Sequence, residues 1–365
     1  MSKRQKLSFL HFEDLPDEIL LKILSLLDIK GVLQCGKVSK RLRAISNDQS
    51  LWLKLNLFGR EVPYGFIEKA VKNGCEYLNL RFSVVSRGKK SEVPWSLKYL
   101  EISQSCDLPL PKGVLENCHF LQKLAVDYLI IKSHEIELIC QNGETLQILS
   151  LRGCKIQTGN SLQKTELIQK LFTKCPELTE LNVSQSFQFS YRSDNNIWLG
   201  PHIYALVDNL TPNILKLSLR FQQYVDDNHV NNLVCRCNKI TELDLSFTPI
   251  TNVSVDSIIK HLNFLEKLDI GYTDIDLSKI LQLKSIRTLK FLRCFGKEED
   301  AEKIKNLKLQ LPHVRINEEY FTIACSTKKV NGSVDQDWFW DIRAMQQDCL
   351  PRAQDRYLKP IEETW

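Results

Sequence analysis

The side chains able to do chemistry are plentiful, but they are not gathered into a recognisable reaction motif. Seven histidines and twelve cysteines are spread over 365 residues. No His-Glu-x-x-His pair offers zinc two imidazoles on one helix face. No Gly-x-Ser-x-Gly turn raises a nucleophile, and no Gly-x-x-x-x-Gly-Lys loop cradles a phosphate. The closest cysteines, Cys235-x-Cys237, have no histidine or second pair at zinc-ligand spacing. The sequence therefore predicts no catalytic residues, no metal and no cofactor.

The cysteines instead keep time with a leucine pattern. Cys118, Cys175 and Cys237 each stand three residues before the first leucine of a recurring phrase, and Cys154 and Cys294 three after its last. Thiols in such places are expected to be small buried hydrophobes. The phrase reads Leu97-x-x-Leu100-x-Ile102, Leu121-x-x-Leu124-x-Val126, Leu146-x-x-Leu149-x-Leu151 and Leu178-x-x-Leu181-x-Val183. It continues as Ile214-x-x-Leu217-x-Leu219, Ile240-x-x-Leu243-x-Leu245, Leu265-x-x-Leu268-x-Ile270 and Ile286-x-x-Leu289-x-Phe291, with weaker copies at Cys75/Leu78/Leu80 and Leu311/Val314/Ile316. This spacing falls in the range of leucine-rich repeats, roughly 20–29 residues. Period-two alternation sends the leucines to one side of a strand and their neighbours to the other. Amphipathic stretches such as Leu167–Phe172 and Val255–Leu262 are expected to close each turn as helices. The two longest intervals run from Leu149 to Leu181 and from Leu181 to Leu217. The second leaves room for a loop around Tyr191–Pro201.

Ahead of the repeats, residues 12 to 58 carry a different rhythm. Pro16 sits near a helix start with Asp17 and Glu18 in the first turn, where negative charge suits the helix dipole. Ile19, Leu20, Ile23, Leu24 and Leu27 then form a broad apolar stripe. Asp28 is placed to cap a second helix, and Asn47-Asp48 to turn the chain before Leu51-Trp52. Three or four short helices of this size cannot hide all of that apolar surface, so a partner is expected to cover the remainder.

Leu15-Pro16-x-Glu18-Ile19-Leu20, Val38-Ser39-Lys40-Arg41 and Leu51-Trp52 together resemble an F-box. Leu42 stands where many members of that family have an aromatic. The resemblance implies docking to a Skp adaptor, and through it to a cullin–RING ubiquitin ligase. Leu15, Pro16, Ile19, Leu20, Ile23, Leu24, Leu51 and Trp52 would be the adaptor contacts. The whole order, with Cys175–Ser184, Leu311–Asn317 and Phe321–Ala324, is similar to the S-phase kinase-associated branch of the F-box/leucine-rich-repeat family. That similarity implies a substrate-recognition subunit binding phosphorylated proteins such as cyclin-dependent-kinase inhibitors, with help from a Cks-type accessory protein. Two departures weaken transfer of those contacts: a short segment before Phe12, and Gln185 where the relatives have an aromatic. The competing reading is a repeat scaffold or inhibitor that does not lead to degradation.

The expected fold is α/β: a helical F-box over 12–58, a curved leucine-rich-repeat solenoid over 75–317, and a C-terminal tail over 318–365. On the solenoid, alternation points Arg152, Asn182, Arg220, Asp244, Lys267 and Asp269 outward, with Phe247 and Tyr272 just past their strands. These are the candidate substrate-binding residues. Asp337-Trp338-Phe339-Trp340 and Trp365 make the tail too apolar to stand alone, and it is expected to pack back on the repeats. A net charge of +5 with nearly balanced acids and bases argues against a nucleic-acid partner. No apolar run approaches the length that crosses a bilayer, and no secretory signal is recognisable, so nucleus and cytoplasm are the expected locations. The basic runs Lys3–Lys6 and Arg87–Lys90 are read as solvated segments, and the cysteines as reduced.

Overall fold

The computed structural model describes residues 12–86, 88, 93–103, 108–184, 200–296, 301–317 and 359–360. Four short helices open the chain: α1 (Asp17–Leu24), α2 (Ile29–Val38), α3 (Lys40–Ser46) and α4 (Gln49–Trp52). Helix α1 begins one residue beyond Pro16, which occupies the cap position and has no side-chain acceptor for the first helical amides. Asp28 caps α2 through the Gly31 amide at 2.8 Å, and Asp48 caps α4 through that of Ser50 at 2.9 Å. Two bonds from Ser50 to Asp48 hold that carboxyl below its ordinary pKa. The internal core of this module is small: Leu20, Leu24, Leu42 and Ile45, with Leu15, Leu21, Cys35 and Leu51 packed alongside.

Among the described residues, eleven strands then form one parallel sheet in strict chain order. They are β1 (Lys54–Asn56), β2 (Tyr77–Asn79), β3 (Tyr99–Glu101), β4 (Lys123–Ala125), β5 (Ile148–Ser150) and β6 (Glu180–Asn182). The series ends with β7 (Lys216–Ser218), β8 (Glu242–Asp244), β9 (Lys267–Asp269), β10 (Phe291–Arg293) and β11 (Arg315–Ile316). Parallel neighbours need a crossover. Several of these are helical, among them α5 (Tyr64–Lys72), α6 (Ser133–Cys140), α7 (Ser161–Thr173), α8 (Ile203–Val207), α9 (Asp227–Arg236) and α10 (Asn252–His261). Shorter parallel ladders join Leu108–Pro109, Leu129–Lys132 and Lys155–Gln157, and join Arg60–Val62 to Val84–Val85.

The central residue of each strand forms one continuous row: Leu55, Leu78, Leu100, Leu124, Leu149, Leu181, Leu217, Leu243, Leu268, Leu292 and Ile316. All are buried in a single core that runs the length of the repeats. Each buried leucine contributes about 1.5–3 kcal/mol.

This register corrects the sequence reading in two places. Leu268 pairs with Leu292, so the phrase near the end is Leu289-x-x-Leu292-x-Cys294, three residues later than Ile286/Leu289/Phe291. Leu292 pairs with Ile316, so Val314 is not the central residue of the last copy. The second correction is at the front. Leu55 pairs with Leu78, and the first copy is Trp52-x-x-Leu55-x-Leu57, inside the 12–58 span expected to be the helical module. Cys75, Cys118, Cys154, Cys175, Cys237 and Cys294 are small buried groups, and desolvation pushes the Cys75 and Cys175 thiols to about 12. Cys294 fills the last apolar place of its copy and does not follow it.

Of the tail, Lys359–Pro360 is described; it forms a strand beside Arg60–Glu61. The tail tryptophans, Gln185, the Tyr191–Leu199 part of the expected loop and most of the two basic runs lie outside the described residues.

Candidate protein-binding surfaces

The helical module has too little core to hide its apolar side chains. Phe12, Ile19, Leu26, Leu27 and Val38 remain exposed, Leu26 at 83% and Val38 at 73%. Arg41 fixes the approach of α3 to the start of α1, with its guanidinium 2.6 Å from Asp17 and donating to the Leu15 carbonyl at 2.7 Å. Among the eight residues expected to meet an adaptor, Pro16 and Ile19 are exposed, and Leu15, Ile23 and Leu51 are half-buried.

Leu20, Leu24 and Trp52 require correction, because each is at most 1% exposed. The two leucines form the module's own core. Trp52 occupies the first apolar place of the first repeat, donates from Nε1 to the Ser46 carbonyl at 2.7 Å, and lies 6.0 Å from the Phe66 ring. All three are enclosed by the chain's own side chains and leave no surface for a partner to touch. Leu26 and Val38, missed by the stripe argument, have the accessibility that a contact needs. Their exposure depends on how the helices pack, so spacing alone does not reveal it.

On the solenoid, the first strand positions carry an ionic ladder. Lys216 Nζ lies 3.0 Å from Glu180 and 3.8 Å from Glu242, and Lys267 Nζ lies 3.1 Å from Glu242. From β6 to β9 the third positions are polar but buried, which corrects the expectation for Asn182, Asp244 and Asp269. The Asn182 Oδ1 accepts from the Ser184 amide and hydroxyl, and Asp244 Oδ1 accepts from those of Ser246. Asp269 accepts from the Gly271 amide at 3.0 Å and pairs with Arg293 at 3.1 Å. Neighbouring strands, about 4.8 Å away on each side, shut these short side chains off from water.

Beyond the strands the chain turns through left-handed backbone at one fixed place, occupied by Phe82, Tyr128, Phe221, Phe247 and Tyr272, each with φ between 56° and 60°. A side chain there costs conformational energy. Repetition of that turn brings Phe221, Phe247 and Tyr272 into a stack with spacings of 4.1 and 4.2 Å. Arg220 spans the first two rings, 4.9 and 4.6 Å from their centres, and donates to Ser246 Oγ at 3.1 Å. Arg152 lies 5.5 Å from the Tyr128 ring. Arg152, Arg220, Phe247, Lys267 and Tyr272 thus keep accessible surface, Tyr272 at 51%. Fixed guanidinium and aromatic groups suit a protein-binding face.

The buried acids carry a pH signature. Burial, followed by repulsion from Asp244, raises the Asp269 carboxyl from 3.8 to about 7, while Arg293 and Arg220 pull the other way. A raised folded pKa means that this group favours folding below its unfolded value and loses that contribution as pH rises through about 7. The stability of the wild type relative to Asp269→Asn should therefore fall between pH 3.8 and about 7. Urea midpoints across that range test this. A constant difference would show that Asp269 titrates as it does in the unfolded chain.

Among the described residues no group of three or more His, Cys, Asp or Glu is placed to hold a metal. Cys235 and Cys237 are separated by the fold: Cys237 is buried, whereas Cys235 is exposed with Sγ 3.3 Å from His261 Nε2. Nor is any described helix long and apolar enough to cross a membrane.

A helical module joined to a parallel leucine-rich solenoid defines the class as an F-box/leucine-rich-repeat protein. Residues 65–347 match the family described as the SKP2 LRR domain, and the chain belongs to that family. Residues 12–57 match the F-box-like family. Its repeat region is accordingly of the type found in S-phase kinase-associated protein 2. Curated relatives match short stretches of the chain: F-box protein dre-1 of Caenorhabditis elegans is 42% identical over 55 residues, and F-box only protein 15 of Bos taurus 31% identical over 90. Those matches take in 14% and 24% of this chain, and 6% and 18% of the relatives' lengths. Among solved structures, a leucine-rich-repeat-containing protein of Legionella pneumophila superposes with a TM-score of 0.39 at 14% identity, covering 68% of this chain and 76% of that one. An internalin of Listeria monocytogenes gives 0.41 at 16%, covering 84% and 96%.

Proposed function

We propose that this protein is the substrate-recognition subunit of a Skp–cullin–F-box ubiquitin ligase. The observation that carries the reading is the contrast between the module's small core and its exposed Ile19, Leu26 and Val38 beside a long solenoid face. The module would dock the Skp adaptor, and the repeats would hold a protein substrate, probed by Arg152, Arg220, Phe247, Lys267 and Tyr272. Ubiquitin transfer would take place on another subunit, with this chain supplying proximity. Phosphorylated proteins such as cyclin-dependent-kinase inhibitors, a Cks-type accessory protein, and residence in nucleus and cytoplasm extend the proposal from family resemblance.

Purified full-length chain should bind the Skp adaptor. Ile19→Asp with Val38→Asp should weaken that binding by tenfold or more, about 1.4 kcal/mol, because charge would be buried against an apolar partner. Thermal melting should barely change, since both side chains already face water. Unchanged capture by the double variant would place the docking surface elsewhere. Failure of the wild type to bind would leave a repeat scaffold without a ligase role.

A further inference from the structure

The first strand positions do not have one electrostatic character along the solenoid. From β6 to β9 they alternate Glu180, Lys216, Glu242 and Lys267, and the charges neutralise one another. From β1 to β4 the same register carries Lys54, Tyr77, Tyr99 and Lys123. The two tyrosine rings stack with centres 4.2 Å apart. Lys54 Nζ lies 5.1 Å from the centre of the Tyr77 ring, and Lys123 Nζ lies 4.9 Å from that of Tyr99. The result is a Lys–Tyr–Tyr–Lys sandwich across four adjacent strands.

Neither lysine lies within ion-pair distance of a carboxylate among the described residues. Lys98, one residue before β3, is by contrast held at 2.8 Å by Glu76. The acid on the same strands, Glu101, is buried and faces Arg81 at 3.9 Å, so a buried cation offsets its charge toward an incoming anion. Lysines resting on aromatic faces are partly ordered without being neutralised. All four side chains retain accessible surface.

We infer that Lys54, Tyr77, Tyr99 and Lys123 form a binding site for an acidic peptide segment of a partner protein, distinct from the Arg220–Tyr272 surface. The lysines would take carboxylates, and the tyrosine edges and hydroxyls would take the chain between them. Three strand spacings separate the two lysine backbones by roughly 14 Å. An extended peptide covers that span in about four residues. The site does not involve the helical module's exposed side chains, so it stands whether or not the adaptor docks there.

Fluorescence anisotropy of a labelled oligoglutamate with the full-length chain tests this, with oligolysine as the control of opposite charge. Wild-type protein should bind oligoglutamate and not oligolysine, with affinity falling as salt rises. Lys54→Glu with Lys123→Glu should reduce affinity by roughly tenfold or more. Lys54→Arg with Lys123→Arg should keep it, since Arg retains both the charge and the ring contact. Lys260→Glu with Lys284→Glu imposes the same change in net charge at exposed lysines elsewhere and should leave binding near the wild-type value. Should the first pair fold poorly, the exposed single change Lys54→Ala serves in its place and should weaken binding several-fold. Equal losses for the two charge-reversed pairs, or retained binding by Lys54→Glu/Lys123→Glu, would overturn the site.

Discussion

Replacing Trp52 with alanine should lower the stability of the front of the molecule by about 3–5 kcal/mol. The indole is fully buried, and its Nε1 donates to the last residue of α3 at 2.7 Å. Its ring lies 6.0 Å from Phe66 of α5, and the Lys69 amino group lies 5.8 Å from its centre. The side chain therefore joins the helical module to the first repeat. Alanine would leave a large cavity and an uncapped carbonyl. Solenoids couple chiefly through nearest neighbours, so the damage should be local. Hydrogen exchange should quicken in α3 and α5 while β7–β9 keep their protection. Trp52→Phe should recover much of the loss, because it restores ring volume without the hydrogen bond. A cost below about 1 kcal/mol for the alanine variant would mean that the indole is not part of the core.

Gly143→Ala should also be severe, at about 3 kcal/mol or more. Gly143 follows α6, with its amide on the Cys140 carbonyl at 3.0 Å. An added Cβ would collide with the Lys174 carbonyl at the end of α7, and would stand 3.1 Å from the Cys140 oxygen. Both obstacles are backbone, so neither can swing aside. Successive repeats approach closely at this point, and a methyl group would force them apart. Gly65→Ala is the matching control: nothing lies within 4 Å of its added Cβ, and it sits within helix α5. That change should be neutral or stabilising by up to about 1 kcal/mol. Denaturation midpoints of the two variants decide the matter. Similar midpoints would show that the repeats can separate at Gly143 without cost.

The architecture was legible in the sequence because alternation is a local property. The phrase from Leu97 to Ile270 has an apolar residue at each inward place and a polar or variable one between them, and the observed pairing follows it residue by residue. The caps at Asp28 and Asp48 were legible for the same reason, since each bond spans only two or three residues. Register failed where apolar residues recur every three positions. Ile286, Leu289 and Leu292 admit two readings of one phrase, and only pairing of Leu268 with Leu292 selects between them. Trp52 reads as an adaptor contact through the F-box resemblance of Leu51-Trp52, whereas its neighbours in space belong to the first repeat.

Sequence alone determined which side chains leave the leucine side of each strand; tertiary structure decided which of them meet water. Asn182, Asp244 and Asp269 point away from the leucine row, yet all are buried. Longer Lys267 and the turn residue Tyr272 stay accessible. The physical reason is lateral. A strand's alternation says nothing about its neighbours, and in a closely spaced parallel sheet those neighbours enclose short polar groups while longer ones reach past them. The same stacking set apart the neutralised Glu180–Lys267 ladder and the positive Lys54–Lys123 sandwich, residues far apart in the chain whose contacts exist only across strands.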